Sequence, residues 1–270
     1  MRIIVPVVIV CAGCEGDGGF GDGGDSEPVA PVPNPPNTTG ETNTTTRPPE
    51  EEQAYLLAPA QTDTFVFVAN AEQDTVSRVD VTSYRVDTTV VGDDPHLVVT
   101  TPDYRRAVVF ERGDDALTVV DANTLATSTV PVRDNFNDLL VSPDGRFAVA
   151  WHNTARERDD DPPADGAQSF NEVSFVDLDT LEHFPMAVGF DPHAIVFTPD
   201  GALAAVVADA WLALVDLTVT PLVPRLLELA PDDADPPAAE EVVVAPDGTF
   251  AWVRRFGATD LLVVDLADGA

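Results

Sequence analysis

A Pro-Asp turn set between short apolar runs returns four times along the chain. It appears at Pro102-Asp103, Pro143-Asp144, Pro199-Asp200 and Pro246-Asp247, at intervals of 41, 56 and 47 residues. A second marker, an apolar residue followed by an Asp that closes a β-rich run, falls at Asp80, Asp121, Asp177, Asp216 and Asp265, at intervals of 41, 56, 39 and 49. Two markers sharing a period near 41 define an array of repeated units. The longer intervals are insertions: "ARERDDDPPADGAQSF" enlarges the third unit, and "APDDADPPAAEE" the junction of the fourth and fifth.

Each unit reads as four short strands. In the second they are "HLVVTT", "RRAVVFE", "ALTVVD" and "ATSTVPV", rich in Val, Leu and Thr with turn residues between them. In the Pro-Asp-Gly turn, Pro presets φ, Asp bonds the backbone and Gly takes the left-handed position. The Asp that ends the third strand is placed to bond local amides in "DANTL" and "DLDTL". Because these residues recur once per unit, they read as fold punctuation and not as catalytic groups. Four strands per unit, no helical period and a repeat of about 40 to 50 residues predict an all-β fold, a β-propeller.

Blades begin near Tyr55, His96, Asn137, His193 and Glu240. The first start follows from laying "YLLAPAQTDTFVFV" on "HLVVTTPDYRRAVV" with a shift of 41. This gives about five blades, the last ending after "DLLVVDL", one strand short. Two readings stay open: a five-bladed ring with a three-stranded last blade, or an open arc of a truncated seven-bladed propeller.

The stretch "FVFVANAEQDTVSRVDVTSYRVDTTVVGDDPHLVVTTPD" resembles the YVTN-type repeat of bacterial surface and periplasmic propellers. Phe67-Val68-Ala69-Asn70 stands at the naming tetrapeptide, and "GDDPHLVVTTPD" at the Gly-x-x-Pro…Pro-Asp-Gly stretch; "NEVSFVDLDTL" and "GFDPHAIVFTPDG" keep the pattern later. The resemblance spans residues 54–270 and implies a propeller, commonly of seven blades. Related propellers include lactone-opening enzymes.

The chain opens "MRIIVPVVIVCAGCEGDGG": Arg2, then the apolar run Ile3 to Val10, then small residues before Cys14. The run is too short to span a bilayer but suits an export signal. Ala12-Gly13-Cys14 resembles the cleavage and lipidation box of bacterial lipoproteins, which implies lipidation of Cys14 and a location in the cell envelope outside the cytoplasm. Residues 1–13 are then the signal peptide. Residues 14–53, Gly-, Pro-, Thr- and Asp-rich, are an expected disordered tether, and residues 54–270 the propeller. Both cysteines, Cys11 and Cys14, precede that body, so it holds no disulfide and no cysteine metal site.

The formal net charge is −33, from 47 acidic residues against 14 basic ones. Such a field repels phosphate backbones and anionic lipid, excluding nucleic-acid binding and leaving the N-terminal lipid as the membrane contact. No Gly-x-Ser-x-Gly, phosphate loop, His-Glu-x-x-His or dinucleotide fingerprint occurs.

Propeller ligands usually sit where inner strands begin, so Tyr55, His96, Asn137, His193 and Glu240 are expected around the channel mouth. Arg112, His152, Asp209, Arg254 and Arg255 form a second tier. His96, His193 and Glu240 are a candidate set for a divalent metal, with Asp94 and Asp191 two residues before each histidine placed to orient an imidazole. Without a metal, the same ring suits a small polar ligand or a protein partner, with no cofactor. Trp151, Trp211 and Trp252 read as blade-packing aromatics. The leading expectation is a non-enzymatic, membrane-tethered binding or scaffold module; the alternative is a lactonase-like hydrolase with a polar or metal site at the mouth. A gene remnant without a stable fold is a third possibility.

Overall fold

A computed structural model describes residues 58–154, 171–229, 239–255 and 261–266 of the chain. The expected signal, the expected lipidation site Cys14, the expected tether, Tyr55 and the whole insertion in the third unit lie outside the described residues.

The strands fall into five antiparallel sheets, each taken from one consecutive stretch of sequence. Blade 1 holds β1 (Ala60–Gln61), β2 (Phe65–Asn70), β3 (Thr75–Asp80) and β4 (Val86–Val90). Blade 2 holds β5 (Pro95–Thr100), β6 (Arg106–Glu111), β7 (Ala116–Asp121) and β8 (Thr127–Pro131). Blade 3 holds β9 (Asp138–Val141), β10 (Phe147–Trp151), β11 (Glu172–Asp177) and β12 (His183–Ala187). Blade 4 holds β13 (Ala194–Phe197), β14 (Leu203–Ala208), β15 (Trp211–Asp216) and β16 (Pro224–Glu228). Blade 5 holds β17 (Ala239–Val244), β18 (Phe250–Arg255) and β19 (Leu261–Asp265), three strands among the described residues. A short 3-10 segment, Ala71–Gln73, joins β2 to β3. The propeller expected from the repeat is the fold observed.

The burial patterns explain the sequence patterns. A middle strand is covered on both faces, so β6 and β14 are buried almost throughout and need apolar residues at consecutive positions. The outer strand β4 has one half-covered face and alternates exposed with half-buried residues, which admits Asp and Thr. Each apolar cluster bridges two neighbouring blades. Phe67, Val76, Val98 and Val109 join blades 1 and 2; Phe110, Leu117, Leu139 and Ala148 join blades 2 and 3. Val149, Phe175, Val206 and Ala213 join blades 3 and 4, and Val207, Leu212, Val242 and Val253 join blades 4 and 5. The core is thus a series of sheet-to-sheet contacts, and a blade has little core of its own.

At one edge of blades 1 to 4 the recurring aspartates act as the sequence predicts. Asp121 Oδ1 accepts from the amides of Asn123 and Thr124 at 3.0 and 2.8 Å, and Asp177 Oδ1 from those of Asp179 and Thr180 at 2.9 and 3.0 Å. The Pro-Asp turns carry an extra tie: Thr101, Ser142 and Thr198 donate their hydroxyls to Asp103, Asp144 and Asp200 at 2.6, 2.5 and 2.7 Å. Gly145, Gly201 and Gly248 take φ of 75°, 72° and 69°, and Tyr104 holds the same place in blade 2 at 60°.

Blade 1 departs from the expected register. Ala60 pairs with Phe67, the place that Val99 takes opposite Val108, an offset of 39 where 41 was expected. The reason is the turn: four residues (62–65) separate the paired Gln61 and Val66, whereas six (101–106) separate Thr100 and Ala107. The first unit lacks Pro-Asp-Gly there, and the shorter turn slides the inner strand by two.

The same edge holds arginines that cross between blades. Arg78 donates to Ala122 O at 2.8 Å, Arg106 to Leu178 O at 2.8 Å, Arg146 to Leu217 O at 3.3 Å, and Arg225 to Leu266 O. Each acceptor is the residue directly after the marker Asp of the next blade. Four of the 14 basic residues therefore fasten blade to blade. These charge-assisted bonds satisfy carbonyls at strand ends while the marker carboxylates beside them supply countercharge, as in the 3.0 Å pair of Arg146 with Asp177.

Candidate functional site

The opposite edge, where inner strands begin, is built on a shared irregularity. In β5 Pro95 pairs with Glu111 and Leu97 with Phe110, so His96 is an extra, bulged residue. In β17 Ala239 pairs with Arg255 and Glu241 with Arg254, and Glu240 is the extra residue. The amide of Asn137 donates to Trp151 O at 3.1 Å although Trp151 pairs with Asp138. His193 likewise donates its amide to Val207 O at 3.0 Å although Val207 pairs with Ala194. Four of the five expected ring residues therefore share one structural position, at the kind of bulge that re-aims a side chain at a strand end. The fifth, Tyr55, lies outside the described residues, and the register of β1 carries the equivalent position to residue 57, also outside them.

Two residues before three of these positions the chain enters the left-handed region: φ is 50° at Asp94, 63° at Asn135 and 54° at Asp191. Asp and Asn tolerate this conformation better than most residues, which gives Asp-Pro-His a backbone reason. The carboxylate of Asp94 accepts from Arg112 Nε at 2.7 Å, and that of Asp191 from Thr154 Oγ1 at 3.0 Å. It is the main-chain carbonyl of Asp191, and not its carboxylate, that lies 2.9 Å from His193 Nδ1.

The polar groups at this end of blade 3 form a tied set. Asn137 Nδ2 donates to Asn153 O at 3.1 Å, and the Asn153 amide returns a bond to Asn137 Oδ1 at 2.6 Å. Asn153 Nδ2 donates to Asp138 Oδ2 at 2.8 Å, and His152 Nδ1 to Asn135 O at 2.6 Å. Asp138, His152 and Asn153 are all buried. Against this background His193 stands apart. A carbonyl oxygen only accepts, so Nδ1 carries the hydrogen, and in the neutral ring Nε2 is then an acceptor. That Nε2 is buried and has no hydrogen-bond partner.

In blade 5, Glu240 pairs with Arg254 at 2.5 Å, and Arg254 Nε donates to Glu241 at 3.0 Å. Asp209 uses its backbone, donating to Phe190 O at 2.9 Å. Among the described residues no three His, Cys, Asp or Glu side chains are gathered so as to hold a metal ion. Glu240 is held by Arg254, whereas the Nδ1 bond of His193 to a carbonyl leaves its Nε2 as the ring's open acceptor.

Sequence reasoning missed Glu111, which ends β6 41 residues before His152 and is fully buried. Its Oε1 accepts from the Gly92 amide at 2.8 Å, and the Thr118 hydroxyl lies close enough to act on the carboxylate. Burial pushes its carboxyl pKa up, and the nearby Asp114 charge adds to this. The residues at this position, Asn70, Glu111, His152, Ala208 and Arg255, share the strand end but no chemistry. His152 and Arg255 were expected here as second-tier residues; the same repeat period, carried along the second strand, would have added Glu111. On the turn-bearing edge, by contrast, a cleft of about 620 Å³ opens between blades 4 and 5, lined by Asp200, Asp216, Arg225 and Asp247 among others. It lies away from the ring, among the residues that shape the turns.

Neither a protein-family model nor a curated protein sequence matches the chain. Solved structures do. The dihydro-heme d1 dehydrogenase NirN, in complex with DHE, superposes with a TM-score of 0.53 at 18% identity, over 77% of this chain and 42% of that one. Hydrazine synthase from Kuenenia stuttgartiensis gives 0.47 at 22% identity over 77% and 64% of the two chains. The Swd1 β-propeller domain of Myceliophteria thermophila gives 0.45 at 10% identity over 79% and 71%. The chain spans less than two thirds of the first two of these proteins. At such identities the likeness to NirN speaks for fold alone, and it agrees with the blades described above: the chain is a β-propeller.

Proposed function

We propose that this β-propeller is a binding module, held outside the cytoplasm by a lipid on Cys14, that captures a small polar ligand or a polar loop of a protein partner at the edge where its inner strands begin. The observation that carries the reading is His193 Nε2: a buried acceptor without a partner, in a neighbourhood where Asn137, Asp138, His152 and Asn153 are bonded to one another or to main chain. An acceptor left open in such surroundings suits a ligand that brings a hydroxyl or amide hydrogen. The surrounding ties hold the site's shape in advance, so little ordering entropy would oppose binding. Nothing in this reading requires covalent chemistry. A lactone-opening reaction would require a metal or an acid-base pair at the ring, and no observation favours that reading.

The test has two parts. Polyols, sugars and short polar peptides are screened by thermal shift against the wild type and against H193A. A hit that raises the melting temperature of the wild type and loses at least about tenfold in affinity in H193A supports the reading; a hit with equal affinity for both overturns the site. Separately, C14S is compared with the wild type for lipid labelling and membrane fractionation in cells. The tether reading expects loss of both in C14S, and a membrane-bound, unlabelled wild type would contradict it.

A further inference from the structure

We propose that the outer face of blade 5 docks blade 1 of a second copy of this chain, so that the protein associates head to tail. The argument starts from a row of cross-strand partners repeated in every blade, on the face turned toward the next blade. These rows are Ala60, Phe67, Arg78 in blade 1; Val99, Val108, Val119 in blade 2; Leu140, Val149, Phe175 in blade 3; and Val196, Ala205, Leu214 in blade 4. The middle residue of all four is 0% exposed, because the following sheet covers it. In blade 5 the same row is Val243, Trp252, Val263. It is as apolar as the others, yet Trp252 is 40% and Val243 62% exposed.

The complementary face is on the page as well. Toward the preceding blade, each later blade presents an alanine in its second strand: Ala107, Ala148, Ala204 and Ala251, each 0% exposed. Blade 1 presents Val66 there, flanked by Val68 and Val79, and all three are only half-buried. Blade 5 and blade 1 therefore present the two halves of one more blade interface. The exposure of Trp252 and Val243 shows that its own blade 1 is not seated on them. A second copy offers the matching surface, and seating it would continue an interface the fold already makes four times. Such a contact is heterologous: each copy keeps an open head and an open tail, so association continues beyond two chains unless the rotation closes. The net charge of −33 per chain opposes it, and added salt screens that repulsion.

The test uses the full chain. Its mass is followed by sedimentation velocity from about 1 to 100 µM in low and high salt, against a monomer of 28.7 kDa. The expected result is a mass that rises with concentration, and more steeply at high salt. W252E blocks the tail and V66E the head; each alone should weaken association at least about tenfold. An equimolar mixture of the two should form dimers and stop there, because it contains one working head and one working tail. Should either variant lack a cooperative melt, amide hydrogen exchange of the wild type replaces it, with protection in β18 and β2 expected to rise with concentration. A wild type that stays monomeric to about 100 µM would overturn the proposal. So would V66E associating as well as the wild type, since that indicates tail-to-tail pairing, or exchange in β18 and β2 that is independent of concentration.

Discussion

The two edges of the blades were built from one repeated sequence unit, and they have diverged in opposite ways. At the turn edge the same chemistry returns in blade after blade: a carboxylate accepting two amides, and an arginine reaching the next blade's carbonyl. At the other edge the backbone irregularity returns, but the side chain placed on it is His, Asn, His or Glu. Recurrence of a polar residue at equivalent places marks what the fold needs. Variation on a constant backbone marks what the fold leaves free, and there a binding function can be written without unfolding the protein.

The sharpest way to break this contrast is D177A. Asp177 is buried, accepts two amides and pairs with Arg146, so the variant strands two N–H groups and removes the countercharge of Arg146. Urea unfolding should show a loss of about 3 kcal/mol. Next comes Glu111, at the other edge, where the fold is penalised. Its pKa is raised in the folded state, so at neutral pH the buried charged form costs stability. E111Q, which keeps the acceptor for Gly92, should gain about 1 kcal/mol at pH 7. That gain should shrink as the pH falls and the wild-type carboxyl takes up its proton.

Tyr104 sharpens the contrast from within the turn edge. It holds at φ 60° the place that Gly145, Gly201 and Gly248 hold elsewhere, and its side chain is largely exposed. Y104G should raise stability by about 1 kcal/mol, read as a higher urea midpoint with an unchanged slope. The pH profile gives the smallest and most diffuse effect. Bonds from the Thr82 hydroxyl and the Ser83 and Thr82 amides hold Asp80 down at about 2, and Thr198 and Thr249 likewise lower Asp200 and Asp247. These groups contribute stability that is complete above their ordinary range near 3.8 and lost as the pH falls toward about 2. Glu111 and Asp115, both raised chiefly by burial, act in the other direction and favour the fold on mild acidification. Unfolding free energy should therefore rise on mild acidification from neutral pH, as Glu111 and Asp115 take up protons, and fall as the pH drops below the ordinary carboxylate range toward about 2.

The sequence made some of this legible and hid the rest for physical reasons. The strands of the second unit were read almost to the residue, because a sheet buried on both faces writes itself as apolar runs between turn residues. The shared position of His96, Asn137, His193 and Glu240 followed from counting back from each turn proline. What could not be read were bonds to main-chain carbonyls: Asn135 O, Asn153 O and Asp191 O carry the network where inner strands begin, and the carbonyls of Ala122, Leu178, Leu217 and Leu266 receive the arginines. Every residue has a carbonyl, so no residue type announces one. The first inner strand was misregistered because its turn is two residues shorter and lacks the Pro-Asp-Gly that fixed the others.

The division between edges is tested most directly by comparing two double variants in urea. R106A/R146A removes two arginines that cross to neighbouring blades, and H96A/H193A removes two residues at the bulged positions. The division predicts that the first loses at least about 3 kcal/mol and that the second stays within about 1 kcal/mol of the wild type. An H96A/H193A variant that falls as far as the turn variant would mean that those side chains hold the fold together and are not free to serve a ligand.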